Sequence, residues 1–154
     1  MIATPHLLVG AILATKISNP FLGLTLAFLS HFILDLIPHS EYWMLAKNVS
    51  GKWNHSKKKI FVVVIDVMIG VLLLWFLSQN KILALVGGFL GVLADFDNVY
   101  FLFPNFTKNK FFKLDQYSHK LFTHWFKGEK TPLFLGVTTQ VIVILVAIYF
   151  LLLP

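Results

Sequence analysis

The few charges of this chain are distributed in a way that leaves little choice of fold. Five apolar stretches carry almost none of them, and the lysines crowd between the stretches. The stretches run from about Pro5 to Thr15, Pro20 to Ile37, Ile60 to Ser78, Ile82 to Phe103 and Pro132 to Leu153. A helix crossing a membrane needs about 20 mostly apolar residues; the second to fifth stretches reach that length, and the first, at roughly 11–14, falls short. Composition points the same way: 57% of residues are hydrophobic and 13% charged, where soluble domains carry roughly 45–50% and about 25%. With 154 residues there is room for one domain. The expected architecture is all-α: a polytopic membrane helical bundle of four to five membrane helices with a short first helix, one integral membrane domain over residues 1–154. Disorder and a soluble nucleic-acid binder are excluded. The absence of cysteine excludes disulfides, thiolate metal ligands and a thiol nucleophile.

All thirteen basic residues are lysines. Lys47, Lys52, Lys57, Lys58 and Lys59 lie between the second and third stretches. Lys108, Lys110, Lys113, Lys120, Lys127 and Lys130 lie between the fourth and fifth. The two loops are separated by two crossings, so both face the same side, and the positive-inside rule makes that side cytoplasmic. Lys16 and Lys81 fall in the short turns of the opposite side. The expected location is the cell (inner) membrane, multi-pass, with long Lys-rich loops cytoplasmic and the C-terminus outside. No basic leader with a cleavage site precedes the first stretch, so no removable signal peptide is expected.

Ionisable residues inside apolar stretches cost about 2.5–3.5 kcal/mol each on insertion scales and point to function. Here they are His6, His31, Asp35, Asp66, Asp95 and Asp97, with His39, His119 and His124 just beyond. Asp35 lies roughly 22 Å along from Pro20, and Asp95 roughly 20 Å along from Ile82. Both depths fall near the cytoplasmic boundary, where the topology also puts His6 and Asp66. His31 and Asp35, four residues apart, share one helical face; imidazole with carboxylate suits zinc, manganese or iron. Plainer roles exist for each residue. The His31–Asp35 pair could be a polar clamp between helices, Asp97 a helix end, and Asp66 a partner of Lys57 to Lys59. His39, after Pro38, is either a further ligand or a helix-end residue, and His55 reads as an exposed loop residue. Gly87 and Gly91, spaced as GxxxG, predict close helix packing. Trp43, Trp53, Tyr117 and Trp125 suit the headgroup level.

Four segments resemble the motifs of the YdjM-like membrane-bound metal-dependent hydrolases, distant relatives of zinc-dependent phospholipase C and single-strand nucleases. They are Thr4-Pro5-His6-Leu7-Leu8, Ser30-His31-Phe32-Ile33-Leu34-Asp35, Asp95-Phe96-Asp97 and His119-Lys120-Leu121-Phe122-Thr123-His124. The motif order is rearranged here, with the SHxxxD helix ahead of the DxD, and Lys120-Leu121 replaces the usual Arg-Gly. The resemblance implies a membrane-integral metal-dependent hydrolase. Its substrate would be a phosphoester, in a lipid or lipid-linked phosphate at the cytoplasmic interface. It implies His6, His31, Asp35, Asp95, Asp97, His119 and His124 as metal ligands, with His39 as an additional one. These would hold one to three divalent ions, zinc first and manganese second, and Asp97 or Asp66 would orient the attacking water or take its proton. Membrane lipids are the expected partners, drawn by the lysine loops, and nucleic acid is not. The competing readings are a cation or proton transporter and a structural membrane protein. A transporter would spread polar groups across the membrane, whereas this chain leaves its fifth stretch uncharged.

Overall fold

The structure is a computed structural model that describes residues 1–40, 55–94 and 132–153. Among the described residues every regular element is helical, in the order α1 (Ala3–Lys16), α2 (Pro20–Leu34), α3 (His55–Leu77), α4 (Lys81–Val92) and α5 (Leu133–Leu152). The all-α class follows, and the starts of the helices have local causes. Pro20 stands in the first turn of α2, where its missing N–H is no loss, and Asn19 accepts from the Leu22 amide at 3.1 Å. Asn80 does the same for α4 through the Leu83 amide at 3.1 Å.

α2 is shorter than the apolar pattern around it. The sequence reading carries the second stretch to Ile37, but the helix closes at Leu34 with Asp35 as its C-cap. Two tighter turns follow, Leu36 N to Ile33 O at 3.2 Å and Ile37 N to Leu34 O at 3.0 Å. Pro38 disfavours helical geometry at the residue before it, so the helix unwinds ahead of the proline rather than at it. At 15 residues α2 is below spanning length, as is the 12-residue α4, and the rest of the fourth stretch, residues 95–103, lies outside the described residues. Among the described residues two helices are long and apolar enough to cross a membrane, over Lys57–Leu77 and Leu133–Leu152. Both expose large apolar side chains along their length: Met68, Leu72 and Phe76 on α3, and Ile142, Leu145 and Tyr149 on α5.

α1 lies at the centre and packs against all four other helices. It is apolar on every side, which suits a helix enclosed by its neighbours; Leu7, Leu8, Ala11 and Ala14 are at most 4% exposed. Its closest neighbour is α4, and glycines permit the approach. A Cβ on Gly10 would meet the Gly87 backbone, and one on Gly87 would lie 2.6 Å from the Gly10 carbonyl oxygen. A Cβ on Gly91 would run into the carbonyl of His6. The Gly87–Gly91 spacing thus serves close backbone packing, as the sequence predicts.

The first turn of α1 has no cap of its own, since the Ile2 side chain has nothing to offer. Other helices supply the acceptors. The Ala3 and Thr4 amides donate to Asp66 Oδ2 on α3 at 2.7 and 3.2 Å, and Thr4 Oγ1 donates to the Asp66 carbonyl at 2.8 Å. The Ile2 amide donates to Gln140 Oε1 on α5 at 3.1 Å. The N-terminus of α1 therefore starts level with Asp66, some 11 residues or roughly 16 Å along α3 from His55; this is near the middle of the Lys57–Leu77 stretch, deeper than the boundary position that the sequence suggests for His6 and Asp66.

Candidate metal centre

The ends of α1 and α2 bring four sequence-selected residues to one place. His6 projects from the first turns of α1, His31 from the last turn of α2, Asp35 caps α2, and His39 follows the turn. His6 Nε2 lies 3.3 Å from Asp35 Oδ1, and His31 Nε2 lies 3.2 Å from Asp35 Oδ2. His39 Nε2 stands 3.9 Å from Asp35 Oδ1. The His6 and His31 rings stack with centroids 4.3 Å apart. Burial is nearly complete: His6 is 0% and His31 2% exposed, and the Asp35 side chain 7%. The fourth contact is a cation. The Met1 ammonium donates to Asp35 Oδ1 at 2.6 Å and to His39 Nε2 at 2.8 Å.

The outer ring nitrogens decide how these imidazoles face the carboxylate. His31 Nδ1 lies 3.0 Å from the Gly91 carbonyl, and His39 Nδ1 2.8 Å from the Ile37 carbonyl. A carbonyl oxygen only accepts, so both Nδ1 atoms carry the proton. In a neutral ring the Nε2 is then a lone pair. At His39 that lone pair accepts from the Met1 ammonium, whereas at His31 it faces a carboxylate oxygen that is also an acceptor. The His31–Asp35 contact is held together by a positive charge: a proton on His31 Nε2, or a cation among the donors, and the Met1 ammonium on Asp35 is one such cation. An Nδ1–H bonded to a backbone carbonyl is also the usual way a metal-binding histidine is oriented. Gly91 serves twice here, since its carbonyl orients His31 and its missing side chain lets the His6 backbone approach.

The two Nε2–carboxylate separations, 3.3 and 3.2 Å, run to different oxygens of Asp35, so each imidazole meets its own carboxylate oxygen. His6, His31 and Asp35 together can each offer one donor atom, all within 4.8 Å of one another. These residues could hold a metal ion.

The other sequence candidates divide. Asp95, Asp97, His119 and His124 lie outside the described residues, as do Trp43, Trp53, Tyr117 and Trp125. Asp66 is buried at 8% exposure, and its carboxylate caps α1 rather than joining the imidazoles around Asp35. Sequence reasoning missed Gln140, Gly136 and Ser40 behind His39, because neutral residues in or beside an apolar helix raise no signal until their partners are known. At the far end of the bundle, Thr15, Lys16, Ser78, Gln79 and Asn80 line a small pocket of about 100 Å³.

Comparison with family models, with curated proteins and with solved structures found no match to this chain.

Proposed function

We propose that this chain is a membrane-integral, metal-dependent hydrolase that cleaves a phosphoester of a lipid or lipid-linked substrate at the cytoplasmic interface, with zinc as its ion. The observation that carries the reading is the set of buried imidazoles whose Nε2 atoms face one carboxylate while Nδ1 of His31 and His39 is committed to backbone carbonyls. The apolar surfaces of α3 and α5 support membrane insertion of these two helices; a bundle of four to five spans, oriented by its lysine loops, belongs to the same proposal.

A divalent ion in such a site lowers the pKa of a bound water toward 7 and polarises a phosphoryl oxygen. The chain's own groups do the rest. His6, His31 and Asp35 supply two neutral nitrogens and one negative charge, leaving net positive charge for an anionic substrate. His39, at 3.9 Å from Asp35, is placed to add a fourth donor. Asp66 Oδ2 accepts the Ala3 and Thr4 amides, and the proton-accepting role in this reading falls to Asp97 or Asp66. The lysines of the cytoplasmic loops hold anionic headgroups near the site.

A second reading has its own support in the Met1 ammonium at 2.6 Å from Asp35: the cluster is a polar clamp that fixes α1 against α2. Elemental analysis of the detergent-purified chain separates the two. The hydrolase reading expects stoichiometric zinc, loss of that zinc in His31→Ala, and metal-dependent release of phosphate-bearing product from phospholipid vesicles. Wild-type chain devoid of metal, with a melting curve indifferent to chelator, would establish the clamp instead.

A further inference from the structure

α5 has no charged residue and presents much of its surface outward, yet one polar side chain in it is enclosed: Gln140 is 2% exposed. Its amide joins two separate pieces of chain. Oε1 accepts from the Ile2 amide at 3.1 Å, four residues ahead of His6, and Nε2 donates to the Ser40 carbonyl at 3.2 Å, one residue after His39. The same Nε2 also reaches the Gly136 carbonyl at 2.8 Å. Beside it, Thr139 Oγ1 donates to the Pro38 carbonyl at 2.5 Å. Ser40 Oγ returns a bond to the Leu133 carbonyl at 3.2 Å. Gly136 lets residues 39 and 40 lie directly on the helix: a Cβ there would stand 2.6 Å from Ser40 N and 2.8 Å from the His39 carbonyl carbon. His39 is thus held on both sides, through Pro38 and Ser40, by a helix that contributes no donor to the cluster.

We propose that Gln140, with Thr139 beside it, is a positioning element that fixes the His39 segment and the approach to α1 relative to each other, and so sets the donor separations around Asp35. The proposal rests on the metal-centre reading above. It follows from the rigidity such a site requires. Metal–ligand distances tolerate about 0.2 Å, whereas a turn such as residues 36–40 and the two residues ahead of a helix have no regular hydrogen-bond ladder to hold them. A buried amide that donates to one segment and accepts from the other supplies that constraint. Partners that orient ligands in this way change metal affinity by about 10–100-fold when removed.

The test uses the full chain in detergent micelles, with zinc affinity measured by competition against a chromophoric chelator and Co2+ absorption as the report of coordination. Gln140→Met keeps length and removes all three bonds of the amide; Thr139→Val keeps shape and removes the bond to Pro38 together with that to Gly136. Both are expected to weaken zinc by about 10-fold or more and to alter the Co2+ band, which a purely structural role would leave unmoved in the folded protein. If Gln140→Met does not fold, Thr139→Val decides the matter alone. Wild-type affinity and an unchanged Co2+ spectrum in a variant that folds overturn the proposal and leave the metal centre standing. A wild-type chain that takes up neither ion overturns the metal centre and the proposal together.

Discussion

Gly91→Ala tests whether the close approach of α1 and α4 builds the metal centre or merely fills the core. The new methyl would lie 3.2 Å from the His6 carbonyl carbon, 3.4 Å from Gly10 Cα and closer still to the His6 oxygen. Ordinary contact requires α1 to retreat by something like 1 Å, and overpacking of this kind costs about 1–3 kcal/mol. In a protein of this size each kcal/mol lowers the melting temperature by about 2–4 °C, so the chelator-treated variant should melt roughly 2–12 °C below wild type. The retreat carries His6 away from Asp35, and it disturbs the Gly91 carbonyl that orients His31. A tenfold loss of zinc affinity is therefore expected. At a zinc concentration about 100 times the wild-type Kd, binding stabilises the wild type by about 2.7 kcal/mol and such a variant by about 1.4 kcal/mol. The zinc-induced rise in melting temperature should thus be about halved. Gly23→Ala supplies the control: its methyl would stand 2.7 Å from the Leu13 carbonyl oxygen, at the other end of α1. It should lower the chelator-treated melt and keep the full zinc response. A full zinc response in Gly91→Ala would refute the reasoning, because the donors would then tolerate the displacement the packing imposes.

Further outcomes follow from other contacts. Asp66→Ala removes the acceptor for the Ala3 and Thr4 amides and should destabilise the chain by about 1–2 kcal/mol, as loss of a helix cap does; Asp66→Asn, keeping one acceptor oxygen, should lose less. An unchanged thermal melt in Asp66→Ala would show that water replaces the cap. A spin label at Met68→Cys, on the outward face of α3 where Met68 is 57% exposed, should be relaxed by lipid-soluble oxygen and shielded from an aqueous nickel chelate when the chain is in bilayers. The opposite ranking would remove α3 from the membrane. Raising acidity should weaken zinc binding, because protons compete with the ion for the imidazole lone pairs; zinc titrations at descending pH that show constant affinity would argue against histidine ligands.

Much of this site could be read without coordinates because its members are expensive where they stand. A histidine or aspartate in an apolar run is conspicuous, and the four-residue spacing of His31 and Asp35 puts them on one face whatever the tertiary structure. Gly87 and Gly91 were legible for a similar reason, since small residues at that spacing form a groove on any helix. What the sequence could not announce are contacts with no spacing rule. Asp66 caps a helix that begins 63 residues away in the chain, so its aspartate looks the same as one awaiting a lysine or a metal. Gln140 costs little by hydropathy, and its meaning lies in Ile2 and Ser40. The helix α2 ends three residues short of its apolar stretch, because apolarity continues through Leu36 and Ile37 after helical geometry has given way ahead of Pro38. That early ending matters, since the turn it allows is what carries His39 back toward Asp35.

The enclosure of α1 also bears on how fast an ion could come and go. His6 is fully enclosed and His31 2% exposed, the first amides of α1 are bound by Asp66 and Gln140, and Gly91 lies hard against the His6 backbone. An ion at these donors would find the routes past His6 and His31 closed among the described residues, leaving the side of Asp35 and His39, whose side chains are 7% and 10% exposed. Exchange by any other route would need α1 to lift from its neighbours, an event that breaks several buried hydrogen bonds at once.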